Sequence, residues 1–87
     1  LLPPLAVRVN PERLSARGGR VVVHVTDAGT GIDDAVVSIR IGSRVERVRT
    51  GRDGRARIDV GPISRGPHEV TANARGFSEG SATLRIG

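Results

Sequence analysis

Between Arg20 and Ile41 the chain repeats one pattern twice, with apolar, mostly β-branched residues at alternate positions and a Gly/Asp/Thr cluster in between. The first run reads Arg-Val-Val-Val-His-Val-Thr and the second Asp-Ala-Val-Val-Ser-Ile-Arg-Ile. Side chains alternate across a strand, so Val21, Val23 and Val25 share one face. Ala35, Val37, Ile39 and Ile41 likewise share a face. Val22, His24 and Thr26, and in the second run Val36, Ser38 and Arg40, fall on the wetter sides. The Asp27–Asp34 segment is rich in turn formers. Two half-buried strands are not stable alone, so the pattern demands a covering layer.

The remaining segments supply that layer. Leu5-Ala6-Val7-Arg8-Val9 alternates as a first strand and Asn10-Pro11-Glu12 ends it. A short helical turn over Pro11–Ala16 is compatible with Pro at a first helical position and Asn10 as cap. Leu14 is an apolar anchor. Gly42-Ser43 reads as a tight turn into Arg44–Thr50, whose charge density suits an edge strand. Val45 and Val48 stand three apart, which predicts a bulge near Glu46. Gly51-Arg52-Asp53-Gly54 reads as a hairpin turn with Gly54 in the left-handed region. That hairpin sets Thr50 opposite Ala56, Val48 opposite Ile58 and Glu46 opposite Val60. Outside, it pairs Arg47 with Asp59 and Arg49 with Arg57. Ala56, Ile58 and Val60 then point inward, followed by Ile63, by Val70, Ala72 and Ala74, and by Ala82, Leu84 and Ile86. Phe77, the single aromatic, is the largest core candidate. Seven strands spaced by turns predict an all-β fold, a seven-stranded antiparallel Greek-key β-sandwich.

With 87 residues and no cysteine, such a domain depends on aliphatic packing alone. Leu1–Pro4 reads as a linker and residues 5–87 as one domain. Met is absent even at position 1, so the chain is expected to be a piece of a larger protein. No apolar run is long enough for a membrane span. All 14 basic residues are arginine and the net charge is +5. That balance fits a polyanionic partner, an acidic polysaccharide among them. Codon bias in a GC-rich genome gives the same composition.

Alternating strand direction sorts the turns onto two ends. One end gathers Asp27, Asp33, Asp34 and Asp53, carboxylates of the kind that hard Ca²⁺ takes. Asp is also the common turn former, and Arg52, Arg55 and Arg75, expected at the same end, lie close enough to neutralise the group. The other end gathers Arg13, Arg17, Arg20, Arg44 and Arg65, with His68 nearby. Together with the Arg49/Arg57 pair, the residues Arg17, Arg20, Arg44 and Arg65 form the anion-binding candidate, set against a plainly solvated basic surface. Nucleic acid is disfavoured, because one aromatic makes no stacking platform and no recognition helix is present. His24 and His68 lack zinc-site spacing, and no G-x-S-x-G elbow marks a nucleophile. The chain is therefore expected to be non-catalytic, without a cofactor.

Three segments carry a family resemblance. Gly29–Ile39 resembles the G-x-P-V-x-G-A-x-V-x-V segment of carboxypeptidase-regulatory-like and bacterial immunoglobulin-like domains. Thr50–Ile58, with Gly54, Ala56 and Ile58, is similar to their T-D-x-x-G-x-A/F-x-I segment, and Ala74-Arg75-Gly76-Phe77 to their A-x-G-Y/F. Gly31, Asp34 and Phe77 depart from the usual Pro, Gly and Tyr. The resemblance implies a prealbumin-like or immunoglobulin-like sandwich, an accessory, structural or protein-binding module of a larger secreted or cell-surface bacterial protein. The expected partners are other domains of the same chain or another protein, and the expected location is extracellular or in the cell envelope. A polyanion- or glycan-binding module is the alternative.

Overall fold

The valines at 21, 23 and 25 place their strand at the centre of a sheet. The computed structural model describes residues 3–41 and 44–87, and among these there is no helix. The strands are β1 (Ala6–Asn10), β2 (Arg13–Leu14), β3 (Gly19–Asp27), β4 (Thr30–Gly31) and β5 (Val36–Ile41). They continue with β6 (Arg44–Arg49), β7 (Arg55–Val60), β8 (Gly66–Asn73) and β9 (Gly80–Ile86). In one sheet β1 pairs one side of β3, while β7 and β4 pair the other. The second sheet has five strands in the order β2-β9-β8-β5-β6. The two inner faces share one core, with Val21, Val23, Val25, Val37, Ile39, Val70 and Leu84 essentially inaccessible to water.

All seven expected strands form, and the count rises to nine through two-residue additions. Thr30–Gly31 closes back on β3. Arg13–Leu14 runs parallel to the end of β9, where a helical turn was compatible with the sequence. There the backbone N–H groups of Arg85 and Gly87 donate to the carbonyls of Glu12 and Leu14, at 2.9 and 3.0 Å. Pairing with a neighbour's edge satisfies more backbone groups than one isolated turn could.

Two expectations about β6 fail for one reason. Its register against β5 is unbroken from Val36–Arg49 to Ile41–Arg44, so no bulge forms near Glu46. Val45 instead points outward and is 42% exposed. Nor does β6 make a hairpin with β7. The Gly51–Gly54 turn does form, with Gly54 N–H donating to the Gly51 carbonyl at 3.0 Å and Gly54 at φ 77°. It carries the chain from the five-stranded sheet across to β3, and the register inferred for Thr50–Ala56, Val48–Ile58 and Glu46–Val60 does not exist. The edge position of Arg44–Thr50 holds. Arg44 and Glu46 turn toward the inner face at that rim and pair with each other at 3.8 Å, a charged guard of the kind that discourages edge-to-edge association. Phe77 is half-buried and packs against the core from outside, so aliphatic residues carry the centre. The Gly42-Ser43 turn and Leu1–Leu2 lie outside the described residues. Pro3 and Pro4, assigned to the linker, attach to Ser78, whose N–H donates to the Pro3 carbonyl at 2.9 Å.

Candidate functional site

Among the described residues, the Asp27–Asp34 and Gly51–Gly54 loops meet at one end, and the Asn10–Gly19 and Gly61–Pro67 loops at the other. At the acidic end, the Ile32–Ala35 segment is fastened to Thr50. The Thr50 hydroxyl donates to the Ile32 carbonyl at 2.6 Å and accepts from Ala35 N–H at 2.8 Å. Two backbone bonds, Asp34 N–H to Thr50 O and Thr50 N–H to Ala35 O, complete the joint. Thr50 is the one buried polar residue among those described. Gly31 packs its backbone on Asp53, which leaves no space for a Cβ there. Asp34 and Asp53 are thus held near one another's loops, yet each meets an arginine. Arg49 donates to Asp34 Oδ1 at 3.0 Å, and Arg55 pairs with Asp53 at 3.6 Å while its backbone N–H donates to Asp53 Oδ1. Among the described residues no three His, Asp or Glu side chains come together as a cation site. For Asp27, Asp33, Asp34 and Asp53 the geometry is that of turn residues, two of them neutralised locally.

Both Arg49 and Asp34 remain about two-thirds exposed. Water and salt screen such a pair, so Arg49→Ala is expected to cost less than about 1 kcal/mol. The urea midpoint at low and at high salt checks this; a larger loss that persists in high salt would show a role beyond the ion pair.

At the other end, Ile63 N–H donates to the Ala16 carbonyl at 3.1 Å, joining the two loops that carry Arg17 and Arg65. His68 lies between two carbonyls, with Nδ1 3.1 Å from Arg40 O and Nε2 2.8 Å from Ser64 O. Arg20 is engaged with Asp59 at 3.3 Å and Arg44 with Glu46. Arg17 and Arg65 are exposed. The Arg49/Arg57 pair is not formed. Arg49 faces outward beside Val36 in the five-stranded sheet, and Arg57 beside Val22 in the other. The sheets lie back to back, so these guanidiniums belong to opposite surfaces and cannot share an anion. The expected Arg47–Asp59 bridge is lost with it.

On the outer face of the four-stranded sheet, Arg8, His24 and Arg55 form one cross-strand row, with Arg57 in the next. His24 Nε2 lies 3.2 Å from the Asp53 carbonyl, and Arg55 is held by Asp53. On the five-stranded sheet the outward arginines are Arg40, Arg47 and Arg49, with Arg85 and Arg13 on the far side. Period-2 spacing marks Arg40 and Arg47 as outward; their meeting depends on β6 pairing with β5.

Family models, curated proteins and solved structures were each compared with this chain. None matches.

Proposed function

We propose that the chain is an immunoglobulin-like Greek-key sandwich serving as a non-catalytic spacer or interaction module of a larger, exported bacterial protein. The strand order supports the topology. Taking the seven long strands in sequence, the first, second and fifth share one sheet, and the third, sixth and seventh the other, as in immunoglobulin sandwiches. β6 joins the sheet of the third, as the extra strands of variable-type sandwiches do.

The single observation that supports the spacer role is that the segment leading into β1 lies beside the start of β9, so that β9 runs its full length away from it. Pro4 bridges Ser78, just before β9 begins, and Gly87 follows its last residue. The seven residues of β9 separate them, roughly 23 Å at strand rise. A domain entered and left in this way holds its neighbours about a strand's length apart, within a body 37 Å long. Other domains of the same protein, or a second protein, are the natural partners of such a unit.

Two copies fused head to tail through short linkers test this by small-angle scattering. The expected particle is elongated, with a maximum dimension approaching twice the 37 Å of one copy, and each copy unfolds at the midpoint of the single domain. A collapsed, side-by-side particle, or a copy that folds only in the fusion, overturns the spacer role.

A further inference from the structure

Two pairs of arginines occupy neighbouring positions on the outer face of the five-stranded sheet, without an ion pair to either among the described residues. Arg47 stands opposite Ser38, and Arg40 opposite Val45. Arg40 and Arg47 are therefore diagonal neighbours, about 7–8 Å apart along the backbone, within mutual reach of long side chains. On the far side of the sheet, Arg13 runs in register beside Arg85 across a parallel pair, about 4.8 Å apart. Like charges in these positions repel and cost stability unless something neutralises them. The ion pairs among the described residues are Arg20–Asp59, Arg44–Glu46, Arg49–Asp34 and Arg55–Asp53, and none includes these four arginines.

The surface between the two pairs is shaped as well as charged. Ser38, Arg40, Arg47 and Thr71 line a depression of about 560 Å³ that also borders Val45, Pro67, His68 and one carboxylate, Glu69. Among the described residues Glu69 is in no ion pair with the arginines. Pro67 in turn borders a second depression of about 250 Å³ beside Arg13 and Arg85, so the two are contiguous. From β6 to β2 the track crosses four strand spacings, roughly 19 Å. One small anion cannot bridge that length; a chain carrying repeated negative charges can.

We propose that this face is the docking track of an acidic polysaccharide, a polyuronate whose carboxylates sit at the Arg40/Arg47 and Arg13/Arg85 pairs. Guanidinium forks match carboxylates in two-point geometry. The hydroxyls of Ser38, Thr71, Ser81 and Thr83 point from the same face, each able to donate to and accept from sugar hydroxyls. Val45 and Pro67 offer apolar contact to the ring carbons. Nucleic acid is the weaker occupant, because the face holds no aromatic on which a base could stack. The opposite sheet is the weaker surface: Arg20 and Arg55 there are already paired. Arg8 and Arg57, in no ion pair among the described residues, lie on separate cross-strand rows with β3 between them. The proposal goes beyond the spacer role and stands or falls separately from it.

Binding of polygalacturonate to the folded protein, measured by salt-dependent retention and by titration, tests the track. The expected result is binding that weakens with salt. Arg40→Ser/Arg47→Ser should lose at least about fivefold in affinity. Arg8→Ser/Arg57→Ser removes the same charge from the other sheet and should change affinity by less than about twofold. Glu69→Gln, which removes the carboxylate in the middle of the track, should tighten binding. All these positions are exposed, and matched melting curves confirm folding. No binding by the unaltered protein, equal losses in the two double variants, no tightening by Glu69→Gln, or tighter binding of DNA of matched charge each overturns the proposal.

Discussion

Thr50→Val should lower the unfolding free energy by about 2–4 kcal/mol, although valine has almost the same shape. The side chain is 5% exposed, and its hydroxyl serves two backbone groups at once, the Ile32 carbonyl and the Ala35 N–H. Valine fills the space but leaves the buried Ala35 N–H and the partly buried Ile32 carbonyl without their protein partner, and an orphaned buried group costs about 1–3 kcal/mol. Thr50→Ser keeps both bonds and gives up one methyl group, for about 1 kcal/mol. Urea denaturation of the three proteins measures the difference. A Val variant as stable as the Ser variant would mean that Thr50 is held by packing and its hydrogen bonds contribute little.

Gly54→Ala should be comparably severe, about 3–5 kcal/mol. The residue sits at φ 77°, where an L side chain costs roughly 1–2 kcal/mol. A Cβ there would also run into the Val25 carbonyl oxygen and lie 2.7 Å from Ile32 N and 2.8 Å from Gly31 Cα. These are backbone atoms of β3 and its flanking turn, and they cannot move aside without breaking the Val25 N–H bond to Gly54 O at 2.7 Å. A domain of this size has on the order of 4–13 kcal/mol in hand, so the variant should melt far lower or fail to fold at 37 °C. Equilibrium unfolding with near-normal stability would contradict the close approach.

Thr50 and Gly54 bracket the point where sequence patterning stopped being informative. Alternation located every long strand, because burying valine and isoleucine on one face leaves the same trace in any sheet. It does not say which sheet a strand joins. Val48 before the turn, and Ala56 and Ile58 after it, must point inward whether the chain doubles back as a hairpin or crosses the core as an arch. The Asp53-Gly54 pair suits both. Long-range bonds decide between them: Thr50 to a segment 15 and 18 residues earlier, and Gly54 against β3. The acidic and basic ends were legible, since strand direction alone sorts the loops. The arginine partners were not. Arg49 lies two residues before the turn and Arg57 three after it, yet they lie on opposite surfaces. Arg13–Leu14 carries no alternation at all; the open rim of β9 makes a strand of it. The prealbumin-like or immunoglobulin-like resemblance remains a proposal supported by strand order.

The pairing of β2 with β9 also bears on how quickly the molecule can form. It joins residues 13 and 14 to 85 and 86, nearly the whole length of the chain, and β3 must wait for β7, more than thirty residues later. Contacts so distant in sequence place folding in the millisecond-to-second range rather than in microseconds. Leu84 and Ile86 are the core residues that come last along the domain, and until they dock β8 keeps a bare rim and the core lacks its final wall. Until that seven-residue strand docks, the sheet is nearly complete but unclosed, and the docking of β9 ends its exposure.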